Sequence, residues 1–466
     1  MIRFRFPLPP GEGQGEGIPT GWPTRLVLIA SLLAILSAPA AALGPKVSQE
    51  TLPNGATLLV SEQRNLPLVL IRVVLDAGSR RDPQGKGGLA NLTADLVTEG
   101  TASRSAQQIK EQVDFIGASL GAGADQDYAI VSLQVLRKDL DTGLDLLADV
   151  LLRPAFRADE LTRRREATLA SLRSDEDDPT TVAQKAFQRA LFGDTPYGHP
   201  VDGTPETVAT LTCADVQRFY ASYYRPAAAG IVVVGDVSAD EIRPALQRVL
   251  GAWDGTPPPP FIYPSFTPPA GKTIPIARPV TQAGIVLGQL GIARDNPDYE
   301  KIQVMNYILG GGGFSSRLMD NIRTQAGLAY SVASFFAAGK SPGPFEIIMQ
   351  TKNASVADAV ARARQQVEEI RRAPVGDGEL EEARKYLTGS FPLRLDSNAK
   401  IADFIAQCWF FGLGLDYADV YIQRVSAVTA EDVQRMAQQY LQPEQFIEVV
   451  VSGDTPPPAA AAPPAP

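Results

Sequence analysis

Histidine, cysteine and the carboxylates are the side chains with which a protein most often holds a metal or moves a proton, and this chain is poor in the first two. Its one histidine is His199, in the turn-like segment Pro196 to Pro200, and its two cysteines, Cys213 and Cys408, stand far apart. A zinc centre needs a cluster of His, Cys or carboxylate ligands at close spacing, and neither a two-histidine site nor a thiolate cluster can be built here. The cysteines read as isolated thiols, although an oxidising compartment would permit one bridge. His199 reads as structural. Four consecutive glycines, Gly310, Gly311, Gly312 and Gly313, lack the following Gly-Lys-Ser/Thr of a phosphate loop. They read instead as a flexible loop before a helix capped by Ser315, with Arg317 in its first turn. The acidic run Asp175 to Asp178 reads as a solvated helix end. A net charge of −9 argues against nucleic acid as a partner, because phosphate binding needs a basic face.

The chain that must position these groups has 466 residues, too many for one core. Residues 1–44 are set apart as a leader: Arg25, the apolar run Leu26 to Ala38, and small residues up to Ala42 describe a secretory signal. The run is shorter than the roughly 18 residues of a spanning helix; left uncleaved it would act as a membrane anchor. A periplasmic or secreted location follows as the expectation. A Pro-rich stretch, residues 255–271, divides the remainder into halves 45–254 and 272–454, and residues 455–466 form a Pro/Ala tail expected to be disordered. In the first half, strands are expected over 56–63, 68–78, 129–136 and 230–237, with helices over 88–100, 105–118, 140–152, 159–174 and 215–224. In the second half, strands are expected over 283–291, 329–338, 344–352 and 447–454. Helices are expected over 299–310 and 316–327, and two more before the last strand. Each half closes on a helix, a connector and a Val-rich strand (Val232-Val233-Val234-Gly235-Asp236 and Val449-Val450-Val451 before Gly453-Asp454), which suggests a duplicated α+β unit.

Several long segments, in order, carry a family resemblance. Gly78 to Thr101 (GSRRDPQGKGGLANLTADLVTEGT), Pro196 to Thr212, Phe219 to Val237 and Gly310 to Val332 are similar to landmarks of the insulinase/pitrilysin/processing-peptidase (M16) metallopeptidases. The resemblance implies two homologous halves of a processing-peptidase-like metallohydrolase fold, each an antiparallel sheet packed by helices. It also implies an inverted zinc motif, H-x-x-E-H, whose two His project from one helical face to Zn²⁺ while the Glu serves as general base, with a distal Glu completing the ligands. Here that pentapeptide is Asn91-Leu92-Thr93-Ala94-Asp95, and the distal position falls at Ser171. All four functional positions, Asn91, Ala94, Asp95 and Ser171, are replaced, so this chain is expected to bind no zinc and to be inactive alone. Asn91 and Asp95 read as a solvated helix face opposite the stripe Leu89, Leu92 and Leu96. Asn91-Leu92-Thr93 also matches a glycosylation sequon, a pattern short enough to arise by chance.

The second half keeps its family pattern. In related two-part peptidases an Arg and a Tyr at the spacing of Arg317 and Tyr330 reach toward the zinc site and hold the substrate carbonyl. A guanidinium and a phenol are suitable donors for that purpose. A local pair between Arg317 and Asp320 is the bland alternative. The resemblance thus implies a partner chain bearing H-x-x-E-H and its Zn²⁺, with a peptide or unfolded protein as substrate. It further aligns Ser119 to Ala124 with the strand on which active members pair extended substrate. The competing expectation is a non-proteolytic scaffold of the same fold.

Overall fold

The computed structural model describes residues 44–453; the leader up to residue 43 and the tail from residue 454 lie outside the described residues. Eleven strands form two sheets. The first holds β1 (Ser48–Thr51), β2 (Thr57–Glu62), β3 (Leu68–Leu75), β4 (Ser119–Ala124), β5 (Ala129–Leu136) and β6 (Ala229–Gly235) in the order β1-β2-β6-β3-β5-β4. The second holds β7 (Lys272–Ala277), β8 (Gln282–Leu290), β9 (Ala329–Phe336), β10 (Pro344–Lys352) and β11 (Ile447–Ser452) in the order β7-β11-β8-β10-β9. Removing β1 makes the two orders superimposable. Both sheets are antiparallel except for one pair each, β2/β6 and β7/β11, which run parallel. The duplication suggested by the two Val-rich endings is therefore a duplication of topology, and each of those endings is a central strand.

Those central strands explain their own composition. β6 is buried at every position and reads Ala-Gly-Ile-Val-Val-Val-Gly without alternation, the signature of a strand covered on both faces. Ile231 and Val233 enter the core under the first half's helices, while Val232 and Val234 pack on Ile401 and Ile405 of the helix Asn398–Phe411, which belongs to the second half. The second sheet is treated in the same way. Val286, Val449 and Val451 pack on Val182, Ala183 and Phe187 of the helix Pro179–Phe192, which belongs to the first half. Each half thus lends the other one helix.

Three glycines make these close approaches possible. A Cβ on Gly230 would lie 2.5 Å from the Trp409 ring, one on Gly288 would lie 2.6 Å from Phe187, and one on Gly284 would lie 2.5 Å from the Pro179 carbonyl. The lent helix of the first half starts where the sequence allows it to: Asp178 accepts from the Thr180 and Thr181 backbone N–H groups, and Pro179 sits at the first helical position. Because of this exchange the described residues, 44–453, form one compact unit. The Pro-rich stretch follows the same logic. Arg81 donates to the Pro259 carbonyl at 2.8 Å and the Arg80 guanidinium lies 4.6 Å from the Phe261 ring, while Phe266 packs edge-on against Phe192 and Tyr197.

Elements beyond the expected ones are β1, β7, the helices Pro179–Phe192 and Ala239–Leu250, and the single turn of helix Pro205–Val208. Five helices, rather than two, fill residues 356–440. β7 carries Pro275, which a strand tolerates at a sheet edge, and β7 is an edge.

Candidate functional site

The segment before the degenerate zinc helix is a cap. Asp82 is buried and accepts from the backbone N–H groups of Gly88 (2.9 Å) and Ala90 (2.7 Å), satisfying donors at the N-terminus of the helix Leu89–Val97. Gly88 has φ +92°, and a Cβ there would meet the Asp202 carbonyl at 2.7 Å, so glycine is required. His199 packs on Gly87, and its Nδ1 lies 2.9 Å from the Pro200 carbonyl. The helix that active relatives use for chemistry is therefore built and anchored here.

Its face is not the solvated one expected. Asn91 and Asp95 are half-buried, Ala94 is fully buried and Ser171 is exposed. The reason is packing: the helix is enclosed by β4, the helix Cys213–Tyr223 and the helix Ala158–Asp175. Among the described residues no group of three His, Cys, Asp or Glu side chains could hold a metal ion. An amide, a methyl, one carboxylate and a distant hydroxyl do not make a zinc ligand set, and no step through zinc can be written for this chain.

What occupies the neighbourhood is an ion cluster. Glu99, 2% exposed, receives both Arg163 and Arg164, the latter through Nε at 3.0 Å, and Lys110 at 3.5 Å. Burial would raise the Glu99 pKa, but the Arg164 hydrogen bond and the charges of Arg164, Lys110 and Arg163 outweigh it and hold the carboxyl below its ordinary range. Asp95 goes the other way: burial raises its pKa, Glu99 adds repulsion, and Arg164 only partly offsets them. Sequence reading missed this cluster, although Thr98-Glu99-Gly100 beside the Arg163-Arg164-Arg165 run carried the signal.

In the second half, the glycine run is packed rather than flexible. The helix Tyr299–Asn306 widens into a π-helical turn, Tyr307–Gly311. A Cβ on Gly310 would lie 2.5 Å from Ser334 Oγ, one on Gly311 2.7 Å from the Asn306 amide, and one on Gly312 2.7 Å from the Tyr307 carbonyl. Only Gly313, with φ +59°, is needed for its backbone conformation. Asn306 and Ser334 exchange two hydrogen bonds that fix this turn to β9. Ser315 is not the cap; Ser316 is buried, its Oγ donates to the Gly313 carbonyl, and its own carbonyl accepts from Asp320 N. The following turns, Met319–Gln325, are again π-wound.

Arg317 meets neither Asp320 nor open solvent. Its Nε and Nη2 donate to Glu379 at 2.8 and 2.7 Å, a bidentate pair with the helix Asp377–Gly389. The Arg317 hydrogen bond pulls the Glu379 pKa below its ordinary value. Asp320 accepts from Gln325 instead. Tyr330 lies on β9, the outer edge of the second sheet, 50% exposed and with no hydrogen-bond partner among the described residues. β4 is the matching edge of the first sheet; Gly121 and Gly123 leave it without side-chain cover, with open space where a Cβ would point. Both cysteines are free, Cys213 half-buried and Cys408 buried.

A two-sheet α+β chain with duplicated halves, helices on each sheet and a helix in the place of a zinc motif has the architecture of a metallopeptidase of the insulinase type. Residues 58–205 match the model of insulinase (peptidase family M16), and residues 210–387 match that of the peptidase M16 inactive domain. A crystal structure of a peptidase M16 inactive domain from Pseudomonas fluorescens is 30% identical, covers 90% of this chain and all of its own, and superposes with a TM-score of 0.83. A protease from Helicobacter pylori, 21% identical over 88% of this chain and all of its own, shares the fold with a TM-score of 0.80. Among curated relatives, an uncharacterized zinc protease of Streptomyces coelicolor is 28% identical over 87% of this chain and 89% of its own. This chain belongs to peptidase family M16.

Proposed function

We propose that this chain is the non-catalytic member of a two-chain zinc endopeptidase. A partner with an intact H-x-x-E-H motif brings Zn²⁺, both His, the general base and the distal Glu. This chain brings Arg317, Tyr330 and half of the chamber wall that receives a peptide or unfolded protein. The expected secretory leader puts the pair in the periplasm or outside the cell. The observation that carries the reading is the contrast at the two sites: every zinc position is replaced on a helix that is otherwise fully built, while Tyr330 stands on an open sheet edge with its hydroxyl unengaged. In that role Arg317 would act from its Glu379 pair, which fixes the guanidinium's direction and leaves its remaining N–H groups to donate.

One observation favours the scaffold reading: a bidentate Arg317–Glu379 pair is also what a purely structural role would produce. The two readings separate on the assembled pair. Zinc content and peptide cleavage would be measured for this chain alone and mixed with an H-x-x-E-H chain encoded beside it. Activity only in the mixture, lowered by on the order of 10²-fold in kcat by Arg317→Ala with assembly unchanged, is expected. Normal turnover by that variant would sink the orienting role, and an inert mixture would favour the scaffold.

A further inference from the structure

The second half contains a cavity of about 580 Å³ that neither sheet edge nor zinc helix touches. It is walled by the loop after β8, the helix Tyr299–Asn306, Tyr386 of the helix Asp377–Gly389, the turn 390–395 and the helices Asn398–Phe411 and Tyr417–Ser426. Its lining is aromatic and basic. The Arg294 guanidinium lies 3.7 Å from the Tyr299 ring centre and 5.0 Å from that of Tyr417; Arg394 lies 5.7 Å from Phe391 and 5.5 Å from Tyr421.

The other charges in the wall are committed. Lys400 pairs with Asp396, and Asp403 pairs with Arg72 of β3. Glu300, behind the wall, accepts from Tyr417 and faces Arg424. Arg294 donates to the Tyr417 hydroxyl at 2.9 Å, and among the described residues neither Arg294 nor Arg394 is in ion-pair contact with a carboxylate. Tyr421, 2% exposed and part of the lining, buries its hydroxyl beside Arg394; burial raises its pKa and the Arg394 charge only partly offsets that. Two guanidiniums that face rings and phenol hydroxyls but no carboxylate, in one aromatic cavity, leave room for an acceptor that is not part of this chain.

We propose that this cavity binds an organic carboxylate carried on an apolar, preferably aromatic, body. The rings receive the body by stacking, and Arg294, set against the Tyr299 and Tyr417 rings, offers the N–H donors not given to Tyr417 to a carboxylate. The volume is that of a small-ligand pocket, enough for a free aromatic acid or for the last residue of a peptide with its α-carboxylate. The site is independent of whether the chain works with a peptidase partner.

The test is calorimetric titration of the full chain with N-acetyl-phenylalanine, its C-terminal amide, phenyl phosphate and a tetrapeptide ending in Phe. The acid is expected to bind on the order of tenfold more tightly than the amide, as a lost charge-assisted bidentate contact implies. Arg294→Gln and, separately, the exposed Arg394→Gln should each weaken the acid by several-fold without changing the melting temperature of the Arg394 variant. Tighter binding of the tetrapeptide than of the small acid assigns the source to peptide C-termini; the reverse assigns it to a free acid. Equal binding of acid and amide, tighter binding of phenyl phosphate, indifference to both Arg substitutions, or no heat from any ligand at millimolar concentration would each overturn the proposal.

Discussion

The two halves share one strand order and place the same kinds of helices around it, yet they fill one corresponding space with opposite polarity. In the first half an acid from the segment after the zinc helix, Glu99, receives Arg163 and Arg164 from the first turns of the long helix Ala158–Asp175. In the second half a cation from the segment after the glycine turn, Arg317, donates to Glu379 in the first turn of the corresponding helix Asp377–Gly389. Both pairs join the same two elements of the repeat. The first is buried and answers three cations; the second is single and partly open, with Glu379's side chain 41% exposed. The same junction of the repeat is thus sealed by an ion cluster in the first half and left partly accessible in the second.

The helix exchange bears most on stability, because it determines whether the halves fold as one. Phe187→Ala removes a fully buried ring from the lent helix and should cost about 3–5 kcal/mol in urea unfolding. Trp409→Ala, its half-buried counterpart over Gly230, should cost less, about 2 kcal/mol. Two separate unfolding transitions in either variant would show halves that fold alone, against the single unit seen here.

Glu99→Gln should destabilise by about 1–3 kcal/mol, because it strips a charge-assisted acceptor from a buried position while the arginines can turn to solvent. A neutral result would mean that the ion cluster does not hold the zinc helix in place.

Glu346 tests the contact between halves through pH. It lies in β10 facing Gln184 of the lent helix, and burial pushes its pKa up to about 7 from its ordinary 4.5. The unfolded chain therefore releases this proton first, and stability falls as pH rises from 4.5 to about 7. Glu346→Gln should raise the melting temperature by about 2–4 °C at pH 8, and most of that gain should be gone at pH 5. An equal gain at both pH values would remove the ionisation from the account.

The smallest change belongs to the open pair. Glu379→Gln should alter stability by less than about 1 kcal/mol, as half-exposed pairs do. A loss as large as that of Glu99→Gln would make the two ion sites equivalent and erase the contrast between the halves.

Much of this could be read from residue order alone. One histidine rules out a two-His zinc site whatever the fold, because ligand chemistry depends on residue type before it depends on geometry. The unbroken β-branched runs at Ile231 to Val234 and Val449 to Val451 marked the strands that close each half; their inner place in the sheets and their cover on both faces came only from the packing. The segments Gly78 to Thr101 and Gly310 to Val332 located both candidate sites. Long-range pairing was beyond such reading. Nothing local in Pro179–Phe192 says that it covers the other half's sheet, because an amphipathic stripe specifies that a face is buried and not what buries it. The four glycines looked flexible, but Ser334, Asn306 and Tyr307 stand where the side chains of three of them, Gly310, Gly311 and Gly312, would be. The partner of Arg317 is 62 residues away, and Asp320, its neighbour in sequence, bonds elsewhere; only packing of the helix Asp377–Gly389 against the glycine turn could decide between them.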